Sequence, residues 1–143
     1  MTTLIGRCHC GNLQISFETG FTQADLPLRA CRCSFCRAHG AVTTTDPNGR
    51  VSINTKDPTK IRHYRFGLGI TDFLICANCG VFVAAVMQID GTLYASLNSN
   101  VLGMRAQLQG QPRAVDYEGE SIDQRRTRRK QQWTPAVFTG TSA

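Results

Sequence analysis

The sequence predicts a mainly β fold of short strands and turns, closed by a short C-terminal helix. Three observations carry this. Apolar residues alternate in short runs bounded by Gly-, Pro- and Asp-containing turns, the period-two pattern of half-buried strands. Asp90-Gly91 stands between two apolar runs, the usual two-residue hairpin turn, because both central residues need φ > 0. All seven cysteines fall into three clusters, Cys8-x-Cys10, Cys31-x-Cys33-x-x-Cys36 and Cys76-x-x-Cys79. Buried structural thiols need no such spacing, whereas metal ligands do.

Taken in order, "LQISF" puts Leu13, Ile15 and Phe17 on one face of a strand just after the first cysteine pair. Phe21–Leu28 is irregular and reads as a connection. Ala41–Thr45 is β-branched enough for a strand, and "DPNGR" after it is a strong turn. Val51–Asn54 and Arg62–Phe66 read as strands on either side of "TKDPTK", with a turn at Gly67–Gly69. "VFVAAVMQI", Asp90-Gly91 and "TLYASLN" form the clearest hairpin. "NVLGMRAQLQG" suits one or two helical turns. "SIDQRRTRRKQQW" is the best helix: Ser121 and Gln124 fit a capping box, Asp123 lies in the first turn and the basic run at the far end. Trp133, the sole tryptophan, is expected to anchor this tail. Residues 1–115 are read as a zinc-binding β domain, and 116–143 as a C-terminal tail packed on it.

Length and composition fit one globular domain of 143 residues, 41% hydrophobic and 18% charged. No run approaches the ~20 apolar residues of a membrane helix. The N-terminus lacks the apolar core of a signal peptide, so the expected location is cytoplasmic, where disulfides are rare. An odd number of cysteines cannot pair off completely in any case.

The formal charge of +6 is mostly local. Five of the sixteen basic residues lie in "RRTRRK", leaving eleven basic against ten acidic elsewhere. Seven thiolates and two dications would take away three further charges, leaving about +3. A whole-surface nucleic-acid binder is not indicated; a basic tail that binds nucleic acid or an acidic protein stays open, beside the plainer reading of a solvated helix end.

Zinc prefers four tetrahedral ligands and favours thiolate in structural sites. Cys76-Ala-Asn-Cys79-Gly80 has the form of a zinc knuckle, and Cys8-His-Cys10-Gly11 a tighter version. The glycine after each pair takes φ > 0 cheaply. One ion joining Cys8, Cys10, Cys76 and Cys79 would staple an early strand to a late hairpin, as a closed structural site. Cys31, Cys33 and Cys36 remain, three ligands for an ion that wants four. Either the fourth position is open for chemistry, or His39 closes it, with His9 and His63 as more distant candidates. Spacing supports both arrangements equally. Three thiolates and one zinc sum to a charge of −1, which suits the ion poorly to making hydroxide. It suits it well to lowering the pKa of a further thiol, which then attacks a soft carbonyl such as an aldehyde.

"GRCHCGNLQISF", "CRCSFCRAHG" and "FLICANCGV" together resemble the glutathione-dependent formaldehyde-activating enzymes, which share a domain with centromere protein V. Gly11, Arg37, Gly40 and Gly80 match the pattern, and the resemblance spans roughly residues 5 to 100. It implies a tent-like zinc-binding β fold of short antiparallel sheets, found also in a small exchange factor for Rab GTPases. It implies a structural zinc on Cys8, Cys10, Cys76 and Cys79, and a catalytic zinc on Cys31, Cys33 and Cys36. The activity implied is a carbon–sulfur lyase that forms and cleaves S-hydroxymethylglutathione from glutathione and formaldehyde.

Two function classes therefore stand. One is a zinc-dependent lyase for a small-molecule thiol and aldehyde, the family's own pair or another, in which Arg37 binds a substrate carboxylate and Tyr64, Arg65 and Phe66 line the pocket. For Arg37 the plainer alternative is a solvated or acid-paired side chain, and for the other three an ordinary alternating strand. The other class is a binding module with two structural zincs and a basic tail. No membrane partner is expected, and an isolated hairpin edge leaves room for a homodimer.

Overall fold

The computed structural model describes residues 1–141. Eleven strands and two α-helices follow in chain order: β1 (Thr2–Arg7), β2 (Leu13–Thr19), β3 (Arg29–Cys31), α1 (Ser34–His39), β4 (Thr43–Thr44), β5 (Arg50–Thr55), β6 (Ile61–Tyr64), β7 (Asp72–Cys76), β8 (Phe82–Ile89), β9 (Thr92–Asn98), β10 (Arg113–Val115), α2 (Ile122–Gln132) and β11 (Thr134–Thr141). The mainly β fold is the one the sequence predicts. Single 3-10 turns at Ser99–Val101 and Arg105–Gln107 supply the helical turns expected after β9.

The strands run β1-β2-β5-β11-β9-β4-β3-β10, and β8, β7 and β6 extend from the other edge of β9. β9 is the hub. It pairs with β8 from Thr92 to Leu97, while β11 and β4 divide its second edge between Leu93–Ala95 and Leu97–Asn98. Most pairs are antiparallel, but β5–β11 and β3–β10 are parallel. Parallel neighbours need long connections. The C-terminal strand meets that need by returning through α2 to lie between β5 and β9.

The alternation in β2 works as read. Leu13, Ile15 and Phe17 are fully buried and face Thr55, Ile53 and Val51 of β5. They belong to the larger core, with Val83, Ala84, Val86 and Leu97. A second core gathers Cys36, Ala41, Phe82, Ala85, Met87 and Trp133. β8 stands between the two cores, which is why "FVAAVM" is apolar without a break: both faces are covered. Trp133 is 8% exposed and fixes the junction of α2 and β11, as the sequence predicts. Among the described residues, no helix is long and apolar enough to cross a membrane.

Candidate metal centres and the adjoining cavity

The four-cysteine group is made by two turns of similar design. In each, the N–H of the first cysteine donates to the carbonyl five residues on, Cys8 to Leu13 at 2.9 Å and Cys76 to Val81 at 3.0 Å. Each turn is completed by a glycine in the left-handed region, Gly11 at φ 85° and Gly80 at φ 83°, as the knuckle reading requires. The N–H of Gly11 donates to Cys8 and that of Gly80 to Cys76. The hairpin of β7 and β8 carries one turn, and the β1–β2 hairpin the other.

These turns bring the sulfurs together. The Sγ atoms of Cys8, Cys10, Cys76 and Cys79 all lie within 4.8 Å of one another. Cys8 to Cys10 is 3.8 Å and Cys10 to Cys76 is 3.6 Å. Zn–S bonds of about 2.3 Å in a tetrahedron give S···S edges near 3.8 Å. The group therefore fits a thiolate-bound metal ion. Backbone N–H groups of Leu13 and Cys79 donate to Cys8 and Cys76, at 3.3 and 3.5 Å. Burial pushes the Cys8 thiol up to about 11, while hydrogen bonds from Asn78 and then the Asn12 backbone bring Cys10 down to about 6.

Cys31, Cys33 and Cys36 form the second group, again with every Sγ within 4.8 Å of the others. Cys31 ends β3. Cys33 is the N-cap of α1, and its sulfur accepts from the Cys36 N–H at 3.4 Å. Gly40 ends that helix at φ 58°. Cysteine thus plays the capping part normally taken by Ser, Thr, Asp or Asn. Hydrogen bonds from Cys31 and Cys36, then from the Cys36 and Phe35 backbone, hold Cys33 far below the usual thiol range. Hydrogen bonds with Cys31 and Cys33, and then burial, push Cys36 up. Both groups could hold metal ions, with all seven cysteines in the sets the sequence divides them into.

His39, the candidate fourth ligand, is not in this group. Its ring packs on Phe35 and Phe82, with centroids 4.5 and 5.7 Å apart. His63 lies with Nδ1 3.8 Å from Asp72, and His9 is exposed. Among the described residues, no His, Asp or Glu joins either group.

The three-cysteine group opens onto a cavity of about 510 Å³, lined by all three of its residues. Phe66, Phe73 and Phe82 form an apolar wall and all touch Phe35, stacked, tilted and edge-on respectively. Of the strand residues weighed as pocket lining, Phe66 does line it. Tyr64 stacks on Phe35 outside the lining, and Arg65 pairs with Asp72 at 2.6 Å. Arg37 is exposed on the rim.

The opposite wall comes from the C-terminal part of the chain. β10 pairs in parallel with β3, setting Val115 beside Cys31, and the Arg32 N–H donates to the Val115 carbonyl at 2.9 Å. Tyr117 follows, with the Arg128 guanidinium 3.5 Å from its ring centroid. α2 begins with the capping box, Ser121 and Gln124 each bonding the other's backbone N–H. It sends Arg125, Arg128 and Arg129 into the lining. Arg126 and Lys130 instead pair with Asp90 in the β8–β9 turn. The basic run is thus split between cavity and surface. Its role in the cavity was hidden in the sequence, where charge density alone suggests a solvated face; the helical spacing of Arg125, Arg128 and Arg129 was the available signal.

A family model described as glutathione-dependent formaldehyde-activating enzyme matches residues 3–121 of the chain. Among solved structures, the crystal structure of a Rhodobacter sphaeroides protein is similar, with a TM-score of 0.56 and 27% identity, over 78% of this chain and 99% of that one. No curated protein matches the chain. The family match ends at Ser121, the residue that caps α2.

Proposed function

The chain belongs to the family of glutathione-dependent formaldehyde-activating enzymes, and on that premise we propose that it is a zinc-dependent carbon–sulfur lyase joining a thiol reversibly to formaldehyde or a small aldehyde. Glutathione is the thiol that the family description names. The observation that carries this reading is a contrast between the two cysteine groups. The three-cysteine group faces the cavity, whereas no residue of the four-cysteine group is in its lining.

We assign Cys8, Cys10, Cys76 and Cys79 to a structural zinc and Cys31, Cys33 and Cys36 to a second, catalytic one. Zinc on three thiolates would supply a fourth position where a substrate sulfur is kept as thiolate near neutral pH. In the reaction, the thiol sulfur bonds to the carbonyl carbon, the carbonyl π bond breaks, and its oxygen takes the proton that the thiol gives up. The reverse reaction cleaves the same carbon–sulfur bond. Cys31, Cys33 and Cys36 hold the reacting end of the cavity, with backbone N–H groups of Cys33 and Cys36 on two of the sulfurs. Phe66, Phe73 and Phe82 exclude water around it, which favours adduct over hydrated aldehyde. His39 is taken up by Phe35 and Phe82, which supports an open fourth position.

The test is turnover of glutathione and formaldehyde by the zinc-loaded protein. Thiols add to formaldehyde unaided, so the uncatalysed rate is subtracted. The reading expects a rate proportional to protein and lost in Cys33→Ser. A rate equal to the uncatalysed one refutes it for this substrate pair.

A further inference from the structure

We propose that Arg129 and Arg29 each recognise a substrate carboxylate, so that the cavity selects thiols carrying carboxylates over neutral thiols. The inference rests on the lyase reading for where the thiol sits, and adds what the opposite wall recognises.

Arg129 is only 6% exposed. One Nη donates to Thr71 Oγ1 at 2.6 Å and lies 3.2 Å from Met87 Sδ, and the guanidinium stands 4.6 Å from the Trp133 ring centroid. Its Nε is buried with no hydrogen-bond partner. Among the described residues, no carboxylate pairs with it. Burial pushes its pKa down to about 10, and the nearby charges of Arg128 and Arg125 push the same way, opposed by Glu120 and Cys31. Taking a guanidinium out of water is costly unless an anion offsets it. Thr71, a thioether and an indole face do not supply that anion.

Arg29 repeats the arrangement on β3. It is half-buried, donates to Thr45 Oγ1 at 2.7 Å, and has no carboxylate partner among the described residues. Both residues line the cavity that the three cysteines also line. Other cations of α2, by contrast, have acids to pair with. Arg126 and Lys130 take Asp90, and Arg128 takes Glu120. The acids in the lining, Asp116 and Glu118, are exposed and bond neither Arg29 nor Arg129. What is left is a pair of uncompensated, hydrogen-bond-oriented guanidiniums facing a space of ligand size. The anion that guanidinium matches best in shape is a planar carboxylate. Because α2 lies beyond the family match, Arg129 is a feature of this chain's own C-terminal part.

The experiment is calorimetric binding of reduced glutathione and of its diamide to the zinc-loaded full chain. The two ligands share the thiol and differ in their carboxylates. Wild type should bind glutathione at least about tenfold more tightly than the diamide. Arg129→Gln and Arg29→Gln should each bring that ratio towards one, and Arg129→Lys should keep part of it. A wild-type ratio near one, or a ratio unchanged in both glutamine variants, overturns the proposal. If Arg129→Gln fails to fold, the wild-type ratio and Arg29→Gln decide. Turnover on the same samples separates this proposal from the lyase reading. A preference that falls in the variants of a protein without turnover keeps the subsite and sinks the lyase. Turnover with a ratio near one does the opposite.

Discussion

Cys10 Sγ lies 3.6 Å from Cys76 Sγ across 66 residues of chain. This contact ties the β1–β2 turn to the β7–β8 turn, and with them the start of one branch of the sheet to another. A metal ion there would cross-link the fold much as a disulfide does, and its binding free energy would be folding free energy. Cys76→Ser should therefore prevent folding, or lower Tm by about 10 °C or more, as a loss of several kcal/mol does in a chain of this size. Thermal unfolding by circular dichroism with metal analysis checks this. A Tm within a degree or two of wild type would remove the structural role from this group.

The three-cysteine group should behave in the opposite way. It is local in sequence, with Cys31 ending β3 and Cys36 inside α1, so a metal ion there would join no distant parts of the chain. Cys33→Ser should lower turnover on the order of 100-fold or more, since even residues supporting a metal ligand cost 10–100-fold. Its Tm should fall much less than that of Cys76→Ser. Rates and melting curves on the two variants side by side read this contrast, and equal losses of stability would contradict it.

Much of this was legible in the sequence, because metal ligation and strand burial both write periodic patterns. Leu13, Ile15 and Phe17 announce their shared face, Asp90-Gly91 its turn, and the glycines after Cys10 and Cys79 their left-handed conformations. The division of seven cysteines into four and three was visible for the same reason. Less was visible where partners are distant. β1 and β10 have little apolar alternation and are strands because β2 and β3 pair with them. β11 takes its place from β5 and β9, which precede it by tens of residues. α1 carries no standard cap, its N-cap being Cys33. His39 stayed an open alternative as fourth ligand because sequence distance cannot distinguish a ring facing sulfur from one facing Phe35.

That last point gives a variant with a clear expectation. His39→Ala removes an aromatic contact with Phe35 and Phe82, which should cost about 1 kcal/mol. Zinc content should stay that of wild type. Loss of one zinc per chain would make His39 a ligand and close the position the lyase reading needs.

The capping box of α2 offers a test that links helix stability to the cavity. Ser121 accepts from the Gln124 N–H at 3.1 Å, and the Gln124 side chain accepts from the Ser121 N–H at 2.8 Å. Ser121→Ala should cost about 1 kcal/mol. Because α2 carries the arginine wall, KM for glutathione should rise severalfold while kcat changes little. Steady-state kinetics on the pure variant reads this split. A fall in kcat at constant KM would mean that α2 does not position substrate.

In the lyase reading, Cys31, Cys33 and Cys36 hold zinc with a fourth position open to a substrate sulfur. Zinc-edge X-ray absorption measures this directly, as the mean number of sulfurs per zinc. With one four-sulfur and one three-sulfur site, the mean should be about 3.5, rising to about 4 when glutathione is added. A mean that glutathione leaves unchanged would contradict the account.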